Sequence, residues 1–219
     1  MSVSKENFIK TIYKLQQGVG QNTRPGTIAA ALGISNAAAT DMARKLAARG
    51  LINYVKYQPV TLTESGRLMA LDVLRKHRLW EAFLFEVFGL TMHEIHREAE
   101  LLEHQTSDFL AEKIDAFLKN PATDPHGDPI PANDGSVVFS NKNLILSGAP
   151  VGATYHVSRL AGSEEEFFDF CRDNKIAIGA QLTITNRYNA GLTTEIVIED
   201  TKLLLNTDFT NLIYVKQNH

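Results

Sequence analysis

Apolar positions recur at helical spacing through the first half of the chain and alternate through its last third, with a proline-rich break between them. Phe8, Ile9, Ile12 and Leu15 share one helix face, so residues 6–17 predict a helix, with Gly18 and Gly20 as its stop. Residues 27–32 predict a short helix ended by Gly33, and Ser35 or Asn36 caps a further helix over Ala37–Arg49, closed by Gly50. A short helix, a tight glycine turn and a longer helix form a helix-turn-helix pattern. The apolar runs 51–55 and 60–62 predict two strands around Lys56–Pro59, which would make a wing. Thr63-Glu64-Ser65-Gly66 caps a long helix from about Arg67 to Phe88. Thr91 caps the next, whose helical pattern runs from Met92 to about Leu118.

Residues 120–136 hold four of the seven prolines and two glycines, which predicts an irregular connection. Beyond it, 153–160, 181–188, 195–199 and 212–216 alternate or run β-branched with short separations, as in a small barrel. The expected fold is mainly α with a small β part. Its expected parts are a winged helix-turn-helix over 1–72, a helical domain over 73–120, a linker over 121–150 and a β domain over 151–219.

Composition changes this picture in two respects. The single cysteine, Cys171, excludes an intrachain disulfide and fits a reducing cytoplasm, and without a partner thiol a redox role for it is not expected. No apolar run approaches the roughly 20 residues that cross a bilayer, and the N-terminus does not resemble a secretory signal. The net charge of −3 hides an asymmetry: residues 1–72 carry nine Lys/Arg against four Asp/Glu, and the remainder thirteen against twenty-one. A basic contact module joined to an acidic body fits that distribution.

Two sets of side chains carry candidate chemistry. At about 100° per residue, His96, Glu100, Glu103 and His104 fall within an arc of about 100°, and His77 and Glu81 lie one turn apart. Imidazoles and carboxylates converging from helix positions can ligate a metal; the bland alternative is a solvated acidic face with incidental histidines. The second set is the start of the longer helix. Ser35, Asn36, Ala37, Ala38, Thr40 and Asp41 are placed to meet base edges, Asn36 suiting adenine and the methyls suiting thymine. Arg44 and Lys45 suit phosphates, and Lys56 and Tyr57 of the wing could reach the neighbouring backbone. A helical hairpin packed on other helices is the competing reading.

At these residues the chain resembles the diphtheria-toxin-repressor family, the metal-dependent repressors of iron or manganese homeostasis. The resemblance covers nearly the whole length. ENFIKTIYKL is similar to the family's first helix, and RKHRLWEAFLFEVFGL with IHREAELLEHQTSDF to its dimerisation and metal-binding core. TDPHGDPIP is similar to its linker, and the C-terminal strands to its SH3-like domain. The resemblance implies a primary metal site of Asn7, Glu100, Glu103 and His104. It implies an ancillary site of His77, Glu81 and His96, with Glu164 as a further ligand. Glu100 follows the manganese type, where iron-type members have Cys. Two departures stand out. Lys10 replaces a second first-helix carboxylate of manganese-type members, which argues against a two-metal arrangement. Phe167 replaces a Gln ligand, for which Glu165 or Glu166 could compensate.

The resemblance further implies a homodimeric, cytoplasmic repressor of a palindromic double-stranded operator, with no membrane partner. An oxygen-rich donor set with one imidazole suits Mn²⁺ first and Fe²⁺ second, while Co²⁺, Ni²⁺ or Zn²⁺ substitute in vitro. Metal would tie the first helix to the dimer core and space two reading heads about 34 Å apart or a multiple of that. Because His104 must be neutral to ligate, metal-dependent binding is expected to weaken below about pH 6. Two other classes stay open: a helical metalloenzyme of the di-iron kind, and a metal-independent winged-helix regulator. The role of the C-terminal barrel also stays open among supplying a ligand, bracing the core and binding a proline-rich segment such as 121–131.

Overall fold

The computed structural model describes residues 2–17, 22–138, 143–188 and 192–217. The helix stops expected at Gly18 and Gly20, and residues 139–142 of the expected linker, lie outside the described residues. The chain forms two compact units. The first comprises Met1–His77, Glu100–Ala111 and Pro131–Val137, and the second Arg78–Ala99, Glu112–Ile130 and Val138–His219.

In the first unit α1 (Val3–Gln17), α2 (Pro25–Leu32) and α3 (Asn36–Ala47) meet the start of α4 (Glu64–Phe88). The apolar face read from the sequence is the one that buries: Phe8, Ile9 and Ile12 pack with Ile28, Ala39, Ala43, Leu46, Leu71 and Leu74. Each large side chain so enclosed contributes about 1.5–3 kcal/mol. α2 begins at Pro25, whose missing N–H costs nothing in a first turn, and ends at Gly33 in the left-handed conformation (φ 63°). Ser35 caps α3 by accepting from the Ala38 N–H at 3.1 Å. The wing strands are shorter than expected, β1 (Ile52–Asn53) pairing antiparallel with β2 (Thr61–Leu62). The turn between them carries Tyr57 at φ 68°.

One expectation is corrected. The helical stretch from Met92 to Leu118 is broken into α5 (Met92–Leu102), a 3₁₀ turn over Glu103–Gln105, and α6 (Asp108–Phe117). The Thr106 hydroxyl turns back to the Leu102 carbonyl at 2.7 Å, and Ser107 caps α6 by accepting from the Leu110 N–H at 3.2 Å. Such hydroxyls offer the backbone an alternative to continued helix. Glu103 and His104 therefore sit on the 3₁₀ turn, not on the α-helical face that carries His96 and Glu100.

The second unit is built around a six-stranded antiparallel sheet in the order β3-β8-β4-β5-β6-β7. The strands are β3 (Leu144–Ile145), β4 (Thr154–Leu160), β5 (Gln181–Tyr188), β6 (Thr193–Ile198), β7 (Thr201–Asn206) and β8 (Ile213–Lys216). Two short helices, α7 (Glu165–Asp173) and α8 (Thr207–Leu212), accompany them. Tyr155, Val157, Leu182, Ile184, Ile196, Ile198, Ile213 and Val215 alternate inward to form the core, and α7 adds Phe167, Phe168 and Cys171. Phe167 is a core residue in contact with Phe168 and Phe209 rings, and burial pushes the Cys171 thiol up to about 12. That thiol is inert at neutral pH.

Candidate metal centre

In the first unit, one turn of α1 faces the end of α5 and the 3₁₀ turn. The apolar positions of α1 fix the rotation that puts Glu6 and Lys10 on this side. Lys10 Nζ lies 2.8 and 2.9 Å from the two Glu100 carboxylate oxygens and 2.6 Å from Glu103 Oε1. Glu6 Oε2 is 2.7 Å from His104 Nδ1, and His104 Nε2 is 3.0 Å from Glu103 Oε1. His77 Nδ1 lies 2.7 Å from Glu103 Oε2 and 3.9 Å from Glu100 Oε1. The Glu103 side chain is fully buried. Burial alone would push Glu100 upward, but the charge of Lys10, then that of His77, bring its carboxyl down to about 2.

The donor set expected for a primary metal is largely brought together here. Glu100, Glu103 and His104 converge, and His77 joins them, with one ligand atom each of His77, Glu100 and Glu103 lying within 4.8 Å of one another. Asn7 lies on α1 between Glu6 and Lys10, and its Oδ1 is buried with no hydrogen-bond partner. A buried amide oxygen left without a donor costs about 1–3 kcal/mol unless something coordinates it. Carboxylates, an imidazole and this oxygen fit a hard to borderline divalent cation. Lys10 is the residue that does not belong to such a set.

The residues expected for the ancillary set fall in both units. His77 belongs to the first unit, while Glu81 and His96 belong to the second, where His96 Nδ1 is 2.9 Å from Glu81 Oε1. Glu164 is exposed at the N-cap of α7 and joins none of the ligand clusters among the described residues. Within the second unit Glu81 also clusters with Asp124 and His126, all three buried, with one ligand atom of each within 4.8 Å. His126 Nδ1 is 3.5 Å from Glu81 Oε2, and its Nε2 is buried without a hydrogen-bond partner. Burial pushes the Asp124 carboxyl up to about 8, reinforced by Glu81 and Asp128. Burial would lower His126, but the hydrogen bond and charge of Glu81 raise it.

Sequence reading missed Asp124 and His126 because they lie in the proline-rich connection. The available signal was Asp124-Pro125-His126, two ligand-type side chains bracketing a rigid residue. The loop is held by β4 at three successive residues. Ser158 O lies 2.2 Å from where a Gly127 Cβ would stand, Arg159 Nε is 2.9 Å from Asp128 Oδ1, and the Leu160 N–H donates to the His126 carbonyl at 2.8 Å. Gly127 has φ 87°, so only glycine meets both the left-handed backbone and the close approach. From the other side, Arg78 donates to the Pro129 carbonyl at 2.5 Å and pairs with Asp128 at 3.2 Å.

The nucleic-acid candidates are accessible. Ser35, Asn36, Ala37, Ala38, Asp41, Arg44, Lys45, Lys56 and Tyr57 are exposed, and Thr40 is half-buried. The Thr40 hydroxyl is committed to the Asn36 carbonyl at 2.8 Å, and Lys45 pairs with Asp41 at 2.7 Å. Lys56 Nζ lies 4.7 Å from the centroid of the Tyr57 ring.

Comparison with known proteins accords with both halves of this description. Residues 1–60 match the family described as iron dependent repressor, N-terminal DNA binding domain, and residues 63–132 match iron dependent repressor, metal binding and dimerisation domain. The diphtheria toxin repressor of Corynebacterium glutamicum is 32% identical over 191 residues, covering 83% of each chain. A solved manganese-dependent transcriptional repressor in complex with manganese superposes with a TM-score of 0.92 at 32% identity, covering 98% of this chain and 100% of the other. The ScaR structure with bound Cd²⁺ superposes with a TM-score of 0.85 at 30% identity, covering 98% and 99%. The chain belongs to the diphtheria-toxin-repressor family of iron-dependent repressors, which are transcriptional regulators and not enzymes.

Proposed function

We propose that this protein is a homodimeric, cytoplasmic repressor that binds a palindromic operator when Mn²⁺, or secondarily Fe²⁺, is held by Asn7, Glu100, Glu103 and His104. The observation that carries this reading is the convergence of those carboxylates and His104 on α1, the helix that also carries Asn7, whose buried Oδ1 has no hydrogen-bond partner. The absence of a thiolate from the donors favours manganese over softer ions. A bound divalent ion supplies two positive charges that cancel the repulsion of Glu100 and Glu103. Asn7 binds from α1, Glu100 and Glu103 from the end of α5 and the 3₁₀ turn, and His104 is oriented by its contact with Glu6. A second set, Glu81, His96, Asp124 and His126, is proposed to hold a further ion in the second unit. The paired Glu81–His96 contact and the partnerless His126 Nε2 support it.

The operator is proposed to be read by the exposed start of α3, with Asn36 against adenine, Ala37, Ala38 and Thr40 against thymine methyls, and Ser35 and Asp41 beside them. Arg44, Lys45, Lys56 and Tyr57 contact phosphates. Operator gel shifts with and without Mn²⁺ test the switch. Wild type should require the metal, whereas Glu103→Ala and His104→Ala should lose most metal-dependent binding. Equal metal-independent binding by all three would remove the mechanism.

A further inference from the structure

We propose that Lys10 sets the concentration at which this centre can take up a divalent ion, because its ammonium is a tethered competitor for the same two carboxylates. The inference rests on the metal reading above. The ammonium has three N–H donors, and Glu100 Oε1, Glu100 Oε2 and Glu103 Oε1 supply three acceptors at 2.8, 2.9 and 2.6 Å. Its side chain is 5% exposed. Lys10 is therefore fully engaged in a site where water cannot replace the bonds it would give up.

The overlap is at the level of one atom. Glu103 Oε1, which takes the shortest Lys10 contact, is also the oxygen 3.0 Å from His104 Nε2. An ion using Glu103 and His104 together would meet the ammonium at that oxygen, and like charges at such a distance repel strongly where water is scarce. Lys10 must then withdraw, and because it sits on the same chain it competes at a high effective concentration. The arrangement has a second side. A fully buried carboxylate, Glu103, beside a partly buried one, Glu100, is costly without a cation, so the ammonium holds α1 against the 3₁₀ turn in its own right. Either cation can bridge the elements, and the balance between them sets the response threshold.

The test is Mn²⁺ affinity, read from the free-ion electron paramagnetic resonance signal, together with thermal unfolding in chelator and in Mn²⁺. Both use the full-length wild type, Lys10→Met and Lys10→Arg. Lys10→Met should bind Mn²⁺ roughly tenfold to a hundredfold more tightly. It should melt lower than wild type in chelator and recover on adding Mn²⁺. Lys10→Arg, which keeps the charge, should stay nearer to wild type. Lys10→Gln is read in place of Lys10→Met if the latter does not fold in chelator, and folding of either on adding Mn²⁺ supports the proposal. Failure of both neutral variants to fold with Mn²⁺ present would overturn it, since the ion then cannot stand in for the ammonium. Equal or weaker Mn²⁺ binding by the neutral variant overturns the role of Lys10 alone. No measurable binding by any variant overturns the metal centre itself.

Discussion

Glu103 and Glu100 sit three residues apart and meet the same ammonium, yet they differ in what can be measured. Glu103 is wholly enclosed, whereas Glu100 keeps a third of its side chain exposed. The Glu100 carboxyl is held down to about 2 from its ordinary 4.5, despite burial, by Lys10 and then His77. A depressed folded-state value means stability that is complete above the unfolded value and lost as the group protonates. Urea unfolding should therefore show stability falling as pH drops from about 4.5 toward 2, and Glu100→Gln should flatten that part of the profile. An unchanged slope would mean that the Lys10 contact is not maintained in solution. Lys10 itself was legible in the sequence only as a departure from a ligand pattern. Its pairing with both carboxylates was not, because residues about ninety positions apart meet only once the helices have packed.

At the scale of elements, legibility followed local chemistry. α3 was readable in both its start and its amphipathic face, because Ser35 satisfies a first-turn N–H and Ala39, Ala43 and Leu46 recur on one side. Replacing that cap, Ser35→Ala, should cost about 1 kcal/mol of unfolding free energy in DNA-free denaturant titrations; no loss would assign the start of α3 to packing alone. The break after α5 was not readable. Gln105, Thr106 and Ser107 are compatible with a polar helix face, and the choice against helix is made by two hydroxyl-to-backbone bonds. β7 was likewise not readable from pattern, because it has only one fully buried side chain, Leu205.

For the whole molecule, an acidic total charge has to be reconciled with a polyanionic partner. The excess of Lys/Arg in residues 1–72 resolves it, since contact with phosphates depends on local charge. Among the described residues Arg44 has no ion-pair partner, unlike Lys45. Arg44→Ala should weaken operator binding on all sequences and reduce the salt slope by about 1, whereas Asn36→Ala should alter base preference at one position. Binding isotherms over a salt series would separate them, and identical behaviour of the two variants would mean that α3 is not the reader. The wider architecture of helices followed by a small β part was visible in the change from helical to alternating periodicity. The ligand cluster at the proline-rich connection was not, because loop closure rather than periodicity assembles it. The hold of Ser158, Arg159 and Leu160 on that loop gives the C-terminal sheet a task although it furnishes no donor among these clusters. It serves as a jig: the spacing of Asp124 and His126 is machined by a rigid strand, and ion selectivity at the second site proposed above would be a property inherited from β4.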